Sequence, residues 1–139
     1  MTHSQDTLSF QATKPGLLEI TDDVAHWLTT QPITRGLLTL FLRHTSASIL
    51  IQENADADVT RDLEQFFNKL APEDSSLYQH ITEGSDDMPA HIKSALSQTQ
   101  LSVPVDDSEM LLGTWQGIFL FEHRRKPRER KLVLHLSGD

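Results

Sequence analysis

The sequence predicts an α+β fold, with mainly antiparallel sheets and three helices. Three observations carry this. Short apolar alternations of the strand period recur along the whole chain, most connections between them are short, and no parallel-crossover rhythm follows the second helix. A chain of 139 residues is expected to form one domain, 1–139, because two halves would each be too small to bury a sizeable core.

Residues 7–13, TLSFQAT, set Leu8, Phe10 and Ala12 against Thr7, Ser9 and Gln11, the pattern of a half-buried strand. Pro15-Gly16 makes a turn into a short second strand, Leu17 to Ile20. Thr21 or Asp22 can cap a helix as far as Thr30, with Val24, Trp27 and Leu28 on one face, and Pro32 stops it. GLLTLFLRH at 36–44 is apolar on both faces up to Arg43, so it reads as a central strand, and SASILIQE at 46–53 is expected to pair with it. A helix from Ala55 to Leu70 carries Val59, Leu63, Phe66, Phe67 and Leu70 as its apolar stripe, and Pro72 ends it. Asp87 is the expected N-cap of a third helix, with Pro89 in its first turn, Ser97 at its end, and Ile92, Ala95 and Leu96 facing inward. Strands are expected at Leu101–Val105, Glu109–Leu112 and Ile118–Arg124, the first two joined by a hairpin turn at Asp106-Asp107-Ser108. A last strand at 131–137 is expected to pair back across the basic turn before it.

The net charge of −8 argues against nucleic-acid binding, which needs a basic face for phosphate contacts. Six of the twelve basic residues fall in RRKPRERK, 124–131, so a small cationic spot sits on an anionic body. With no cysteine, disulfides, thiolate metal sites and cysteine nucleophiles are excluded, and any metal must be held by His, Asp or Glu. The first residues, MTHSQDTLSF, lack a signal peptide's basic-then-apolar order, and no window reaches the ~18 apolar residues of a membrane span. A cytoplasmic protein without membrane contacts is expected. Hydrophobic content of 37% with few aromatics suggests apolar surface left over for a partner subunit.

Seven histidines is a high count for this length. His3 falls in an end expected to be disordered, and His26 on the surface of the first helix. In YQHITEGSDDMPAHIK, 78–93, His80, Glu83, Asp86, Asp87 and His91 surround a glycine and a helix start. One reading is a divalent-metal and phosphate site: helix N-terminal N–H groups suit phosphate, oxygen ligands suit Mg²⁺, and imidazoles suit Zn²⁺. The other is an N-cap with solvated acids and a surface histidine, since no His-Glu-x-x-His motif is present. His44, with Thr45 and Ser46, gives an apolar strand a polar end, which fits either a site or a hydroxyl-stabilised turn. Asp56 and Asp58 offset the dipole of the second helix, whereas Glu53 and Asn54 end a hydrophobic strand and are candidates for a ligand or metal. GTWQG, 113–117, lets backbone approach another surface, and its Trp115 stacks on a flat ring, packs at a subunit contact, or fills a core beside a glycine-kinked strand. His123 continues the face of Phe119 and Phe121.

Taken together, HTSAS, QENADADV, DDMPAHIK and GTWQGIFLFEHR, in this order and spacing, closely resemble the YjbQ-like family, also labelled secondary thiamine-phosphate synthase. The resemblance runs from Leu8 to Gly138. It implies an α+β fold of antiparallel sheets, a compact homotrimer, and a site near the subunit boundary. Carried over residue by residue, it implies catalytic roles for His44, Glu53, Asp58 and His123 and substrate contacts for Thr45, Ser46, Asn54, Trp115 and Gln116. His80, Glu83, Asp86, Asp87 and His91 are the implied metal ligands. The basic turn after Arg124 looks variable and is given little weight.

The implied activity is thiamine-phosphate synthesis: a pyrimidine-methyl group passes from its diphosphate to a thiazole phosphate, with a divalent ion on the departing diphosphate. Two other readings stand beside it. One is a metal-dependent hydrolase of a small phosphorylated metabolite, with His80, His91 and His123 as ligands. The other is a non-catalytic trimer that binds such a metabolite.

Overall fold

All strand pairings are antiparallel, and they build two sheets. The computed structural model describes residues 1–139. The larger sheet has five strands in the order β1 (Thr2–Ala12), β8 (Arg128–Gly138), β3 (Gly36–Leu42), β5 (Gln100–Asp106) and β6 (Glu109–Met110). The smaller has three, in the order β2 (Gly16–Glu19), β7 (Gln116–Glu122) and β4 (Ala47–Glu53). Helix α1 (Thr21–Thr29) follows β2, α2 (Ala57–Leu70) follows β4, and α3 (Asp87–Leu96) precedes β5. The architecture is α+β, with three helices.

Period-two alternation explains the core. Leu38, Leu40 and Leu42 of β3 and Leu132, Leu134 and Leu136 of β8 are sealed from solvent, against Ala47 and Ile49 of β4 and Ile118 and Leu120 of β7. Each such leucine contributes roughly 1.5–3 kcal/mol through burial. Val24, Trp27 and Leu28 of α1 join the same cluster, and the Trp27 indole N–H donates to Asp6 Oδ2 at 2.9 Å. The other face of the smaller sheet is covered by α2 and α3, where Phe67 of α2 meets Phe121 edge to face.

The structure corrects several expectations. β3 lies at the centre of its sheet but is buried on one face only, since Leu37 and Phe41 are about half exposed on the other. β4 does not pair with β3. Residues 43–46 carry the chain between sheets, and β4 joins β7 instead. β8 likewise does not pair back on β7 but crosses to β1 and β3. β1 begins at Thr2, so His3 lies in a strand, its Nδ1 3.3 Å from His135 Nε2. The α2 stripe is only half covered: Phe66 and Leu70 are exposed. The second helix starts at Ala57, capped by Asp56, whose carboxylate accepts from the Asp58 amide at 2.9 Å. On α3 the buried side chains are Asp87, Pro89, Ala90, Lys93 and Ser94, while Ala95 and Leu96 face out.

β3 and β8 approach closely where Gly36 pairs with Gly138. A Cβ on Gly36 would stand 2.0 Å from the Ser137 carbonyl oxygen, a backbone atom that cannot step aside. Gly36→Ala is expected to destabilise the fold by about 1–3 kcal/mol, seen as a lower urea midpoint at unchanged slope.

Candidate metal centre

The stretch 78–93 folds back on itself so that His80 reaches the first turn of α3. Asp87 and His91 are one helical turn apart on the same face. Asp87 Oδ2 lies 2.7 Å from His80 Nε2 and 3.1 Å from His91 Nε2. One ligand atom from each of the three residues fits within a 4.8 Å span. The carboxylate is buried, whereas His80 and His91 are each more than a third solvent-exposed, so the cluster has a fixed floor and an open side.

The partners of these side chains are informative. His91 Nδ1 lies 3.0 Å from the Thr45 carbonyl, which can only accept, so Nδ1 carries a proton. His91 Nε2 then faces a carboxylate oxygen with a bare lone pair unless a second proton or a cation stands between them. The other carboxylate oxygen, Asp87 Oδ1, accepts from Arg124 Nη1. A histidine that donates its far nitrogen to a carbonyl and a carboxylate braced by an arginine are what metal ligands show around them. Two imidazoles and one carboxylate, with an open side, form a donor set for Zn²⁺ or a similar ion that leaves positions free for a substrate.

Arg124 organises the neighbourhood. Its Nε donates to Asp86 Oδ2 at 3.1 Å and its Nη2 to the Glu83 carbonyl at 3.0 Å. Asp86 Oδ2 also accepts from the Arg125 amide at 2.9 Å, and Asp86 is not among the residues whose ligand atoms cluster. Burial alone would push the Asp86 carboxyl up, but the Arg125 amide and the Arg124 guanidinium outweigh it and hold it below the usual carboxylate range. Glu83 is peripheral, its Oε1 4.0 Å from His80 Nε2.

A profile of the family described as UPF0047 protein YjbQ-like matches residues 6–139. The chain belongs to the YjbQ family. It is 43% identical to the UPF0047 protein YjbQ of Escherichia coli O157:H7 over 97% of this chain and 98% of that one. A UPF0047 protein of Synechocystis is 55% identical over 77% of this chain and 73% of its own. A crystal structure of an uncharacterized conserved protein of the yjbQ/UPF0047 family from Clostridium acetobutylicum superposes with a TM-score of 0.85 at 31% identity. It covers 95% of this chain and 99% of that one. A conserved hypothetical protein of Thermus thermophilus gives the same TM-score at 32% identity, covering 95% and 99%. Membership fixes the fold class and states no activity.

The remaining family-motif positions divide into two groups. Ala47 pairs with Glu122 at one end of β4, and Glu53 with Gln116 at the other, about 20 Å away along a strand. The far end holds Glu53, Asn54, Trp115 and Gln116. There Glu53 Oε2 accepts from the Asp56 amide, Asn54 Nδ2 donates to Glu19 Oε2, and Gln116 Oε1 accepts from the Gly113 amide. Gly117 makes room beside them, since a Cβ there would lie 2.6 Å from Glu19 Oε2 and 3.0 Å from the Asn54 side chain, both of which would have to shift. Trp115 is 62% exposed, and Asp58 forms a surface pair with Arg61.

The near end holds His44, Thr45, Ser46 and His123. His44 Nε2 accepts from the Lys131 amide at 2.8 Å, which occupies its lone pair. Ser46 accepts from Arg130 through both its carbonyl and its hydroxyl, each at 3.0 Å. Arg130 in turn donates to Glu122 through Nε at 2.7 Å and through Nη2, forming a buried bidentate pair. Arg124, Glu122 and Arg130 were not among the expected site residues. Arg130 shares parity with Leu132, Leu134 and Leu136, a signal that it points into the core.

His123 is buried, with Nε2 2.9 Å from Ser48 Oγ. Burial, then the charges of Lys93 and Arg130, lower its pKa to about 3, so the ring is neutral in the folded protein. An unfolded histidine takes up a proton near its ordinary value, so the unfolded chain binds more protons between roughly pH 6.5 and pH 3. Stability therefore falls as pH drops through this window. Asp86, depressed instead, withdraws its contribution only below the ordinary aspartate value. His123→Asn is expected to flatten the melting-temperature profile above about pH 4, where aspartates are still ionised. Asp86→Asn is expected to leave that upper part unchanged. Melting curves across pH for both variants check this.

Proposed function

We propose that the chain is a metal-dependent enzyme acting on a small phosphorylated molecule, with the ion held by His80, Asp87 and His91. The observation that carries this reading is the Nε2–Oδ2–Nε2 cluster whose His91 donates its other ring N–H to a backbone carbonyl. The two imidazoles favour Zn²⁺ or a similar ion over Mg²⁺. An ion there supplies Lewis acidity toward a phosphoryl oxygen and lowers the pKa of water. Asp87 gives a buried anionic floor, and Arg124 fixes which of its oxygens faces the histidines. Glu83, exposed and beside His80, is the carboxylate placed to move a proton. Arg125, more than half exposed beside Ser85, is ion-paired with Glu73 at 2.9 Å, so an arriving phosphate would have to compete with that carboxylate for it.

Hydrolysis of the phosphorylated metabolite is the reaction this donor set fits best. The transferase reading shares the ion but uses Trp115 as a platform for the pyrimidine ring, and Trp115 belongs to the far end of β4. That reading therefore requires a second subunit to bring its Trp115 end to the metal. A homotrimer is part of the proposal for the same reason. Leu77 and Ile81, close to His80 in the chain, are 60% and 51% exposed, apolar surface suited to cover by a neighbouring copy.

The test is elemental analysis of the purified protein, with light scattering for the assembly. Phosphate release from a panel of phosphomonoesters is then assayed beside condensation of the pyrimidine diphosphate with the thiazole phosphate. Near-stoichiometric metal and metal-dependent phosphate release are the expected result. A protein that stays metal-free after incubation with Zn²⁺ or Mn²⁺ overturns the reading.

A further inference from the structure

A second pair of histidines meets on the outward face of the five-stranded sheet, away from α3. β1 and β8 are paired without a break from Thr2↔Gly138 to Ala12↔Arg128. His3 lies opposite Ser137 and Gln5 opposite His135, so the two histidines are diagonal neighbours on one face. Leu132, Leu134 and Leu136 fill the inward face, and parity therefore turns His3, Gln5 and His135 outward. His3 is exposed and His135 half-buried. His3 Nδ1 stands 3.3 Å from His135 Nε2, and the ring centroids are 5.3 Å apart.

Gln5 fixes the orientation of His135. Its Oε1 lies 2.9 Å from His135 Nδ1. An amide oxygen only accepts, so Nδ1 carries the ring hydrogen and Nε2 turns a lone pair toward His3. A far nitrogen that donates to an oxygen and a near nitrogen left bare are what a metal-bound histidine shows. Two nitrogens held by one ion at about 2.0–2.1 Å, at angles between square and tetrahedral, stand about 2.9–3.4 Å apart. The observed separation falls within that range. His3, exposed on an edge strand, has room to turn its ring so that both lone pairs meet at one point. No carboxylate joins the pair, and its neighbours in register, Ser137, Leu37 and Thr39, are uncharged. Donors of this kind suit Zn²⁺ and similar ions and exclude Mg²⁺ and Ca²⁺, which demand oxygen.

We propose that His3 and His135 form a second transition-metal site, independent of the His80 cluster, in which the ion clips the start of β1 to β8. His3 supplies Nδ1, His135 supplies Nε2, and Gln5 is a positioning residue. On binding, the His3 hydrogen that fills the contact leaves Nδ1 and the ring carries its hydrogen on Nε2 instead. Water takes the remaining positions on the ion. With two protein ligands rather than three, the site fills only at Zn²⁺ concentrations well above those that load the His80 cluster. β1 is an edge strand held on one side, so its first residues are where the sheet opens most readily and where such a clip acts.

The experiment uses the full chain carrying His80→Ala and His91→Ala, which removes the other centre and leaves this pair intact. Zn²⁺ is titrated while imidazole nitrogen NMR follows each ring, with assignments from His3→Gln and His135→Gln. The proposal expects one ion per chain, joint saturable shifts at His3 Nδ1 and His135 Nε2, and slower amide exchange over residues 2–5. The wild-type chain should take up a second ion in the same concentration range. Adding His3→Gln or His135→Gln should weaken Zn²⁺ by more than about tenfold, and Gln5→Leu by less, since it keeps both ligands. Both histidine substitutions fall on the solvent face and should leave the melting temperature in chelator near that of the parent. Mg²⁺ should produce no shift. Absence of a saturable shift, unchanged affinity in His135→Gln, or an equal response to Mg²⁺ overturns the proposal. A wild-type chain that binds one ion beside a double variant that binds none overturns it too, while leaving the His80 cluster standing.

Discussion

Glu122→Ala is expected to destabilise the protein by about 3–5 kcal/mol, the largest effect of any single change considered, because it leaves the buried guanidinium of Arg130 without its counter-ion. Both partners are 3% exposed, and Arg130 Nε donates to Glu122 Oε1 at 2.7 Å. Glu122 Oε2 takes the second guanidinium bond and also accepts from the amides of His123 and Arg124 at 2.9 and 3.1 Å. The pair spans the two sheets, since Glu122 ends β7 and Arg130 lies near the start of β8. A double variant, Glu122→Leu with Arg130→Met, removes both charges at similar volume and is expected to recover much of the loss. Urea unfolding of Glu122→Leu, Arg130→Met and the double gives the coupling energy. A coupling near zero would mean that the pair does not hold the sheets together. Glu122→Ala should also loosen the proposed metal centre, because Glu122 fixes the backbone of Arg124, whose side chain braces Asp87.

The fold class was legible because alternation is a local property. Leu8 and Phe10, Leu132 to Leu136, and the hairpin at Asp107-Ser108 all announce their state within a few residues. Asp107 and Ser108 take the positive φ values, 50° and 61°, of a tight two-residue turn. Pairing is not local. Nothing within GLLTLFLRHTSASILIQE distinguishes a hairpin from a chain that leaves one sheet for the other. The answer lies in Arg130, which binds the Ser46 carbonyl from 84 residues away and anchors the crossing. The inward face of α3 was misjudged for a related reason. Apolar residues normally choose the buried face, but here Asp87, Lys93 and Ser94 are the buried ones and Leu96 is 58% exposed. The buried polar face is explained only by its partners, since Ser94 Oγ donates to the Ala47 carbonyl of β4 and Lys93 Nζ to Asn68 of α2. For the candidate site itself, the spacing of Asp87 and His91 was readable as a shared helical face. The arginine that orients Asp87 sits in a basic run that composition alone presents as a solvated turn.

His91→Ala is expected to abolish specific metal binding while leaving the fold in place, and this is the change that bears most directly on the proposed activity. Removing one of three protein ligands should weaken affinity by more than the roughly 10–100-fold typical of losing an outer-shell partner. Arg124→Met supplies that milder case, since it frees Asp87 Oδ1 but leaves all three ligand atoms present. The ordering of the two variants is therefore itself a prediction, with wild type tightest, Arg124→Met intermediate and His91→Ala weakest. Stability reports the same quantity independently. At a hundredfold excess over the dissociation constant, a ligand that binds only the folded state adds about 2.7 kcal/mol. Zn²⁺ should thus raise the melting temperature of the wild type and leave that of His91→Ala unmoved. In chelator the two proteins should melt close together, because the His91 ring is a third exposed and its side-chain contacts are a carbonyl and a carboxylate. If His91→Ala instead melts far below the wild type in chelator and still binds Zn²⁺ with wild-type affinity, His91 is a packing residue, and the metal must be sought elsewhere or not at all.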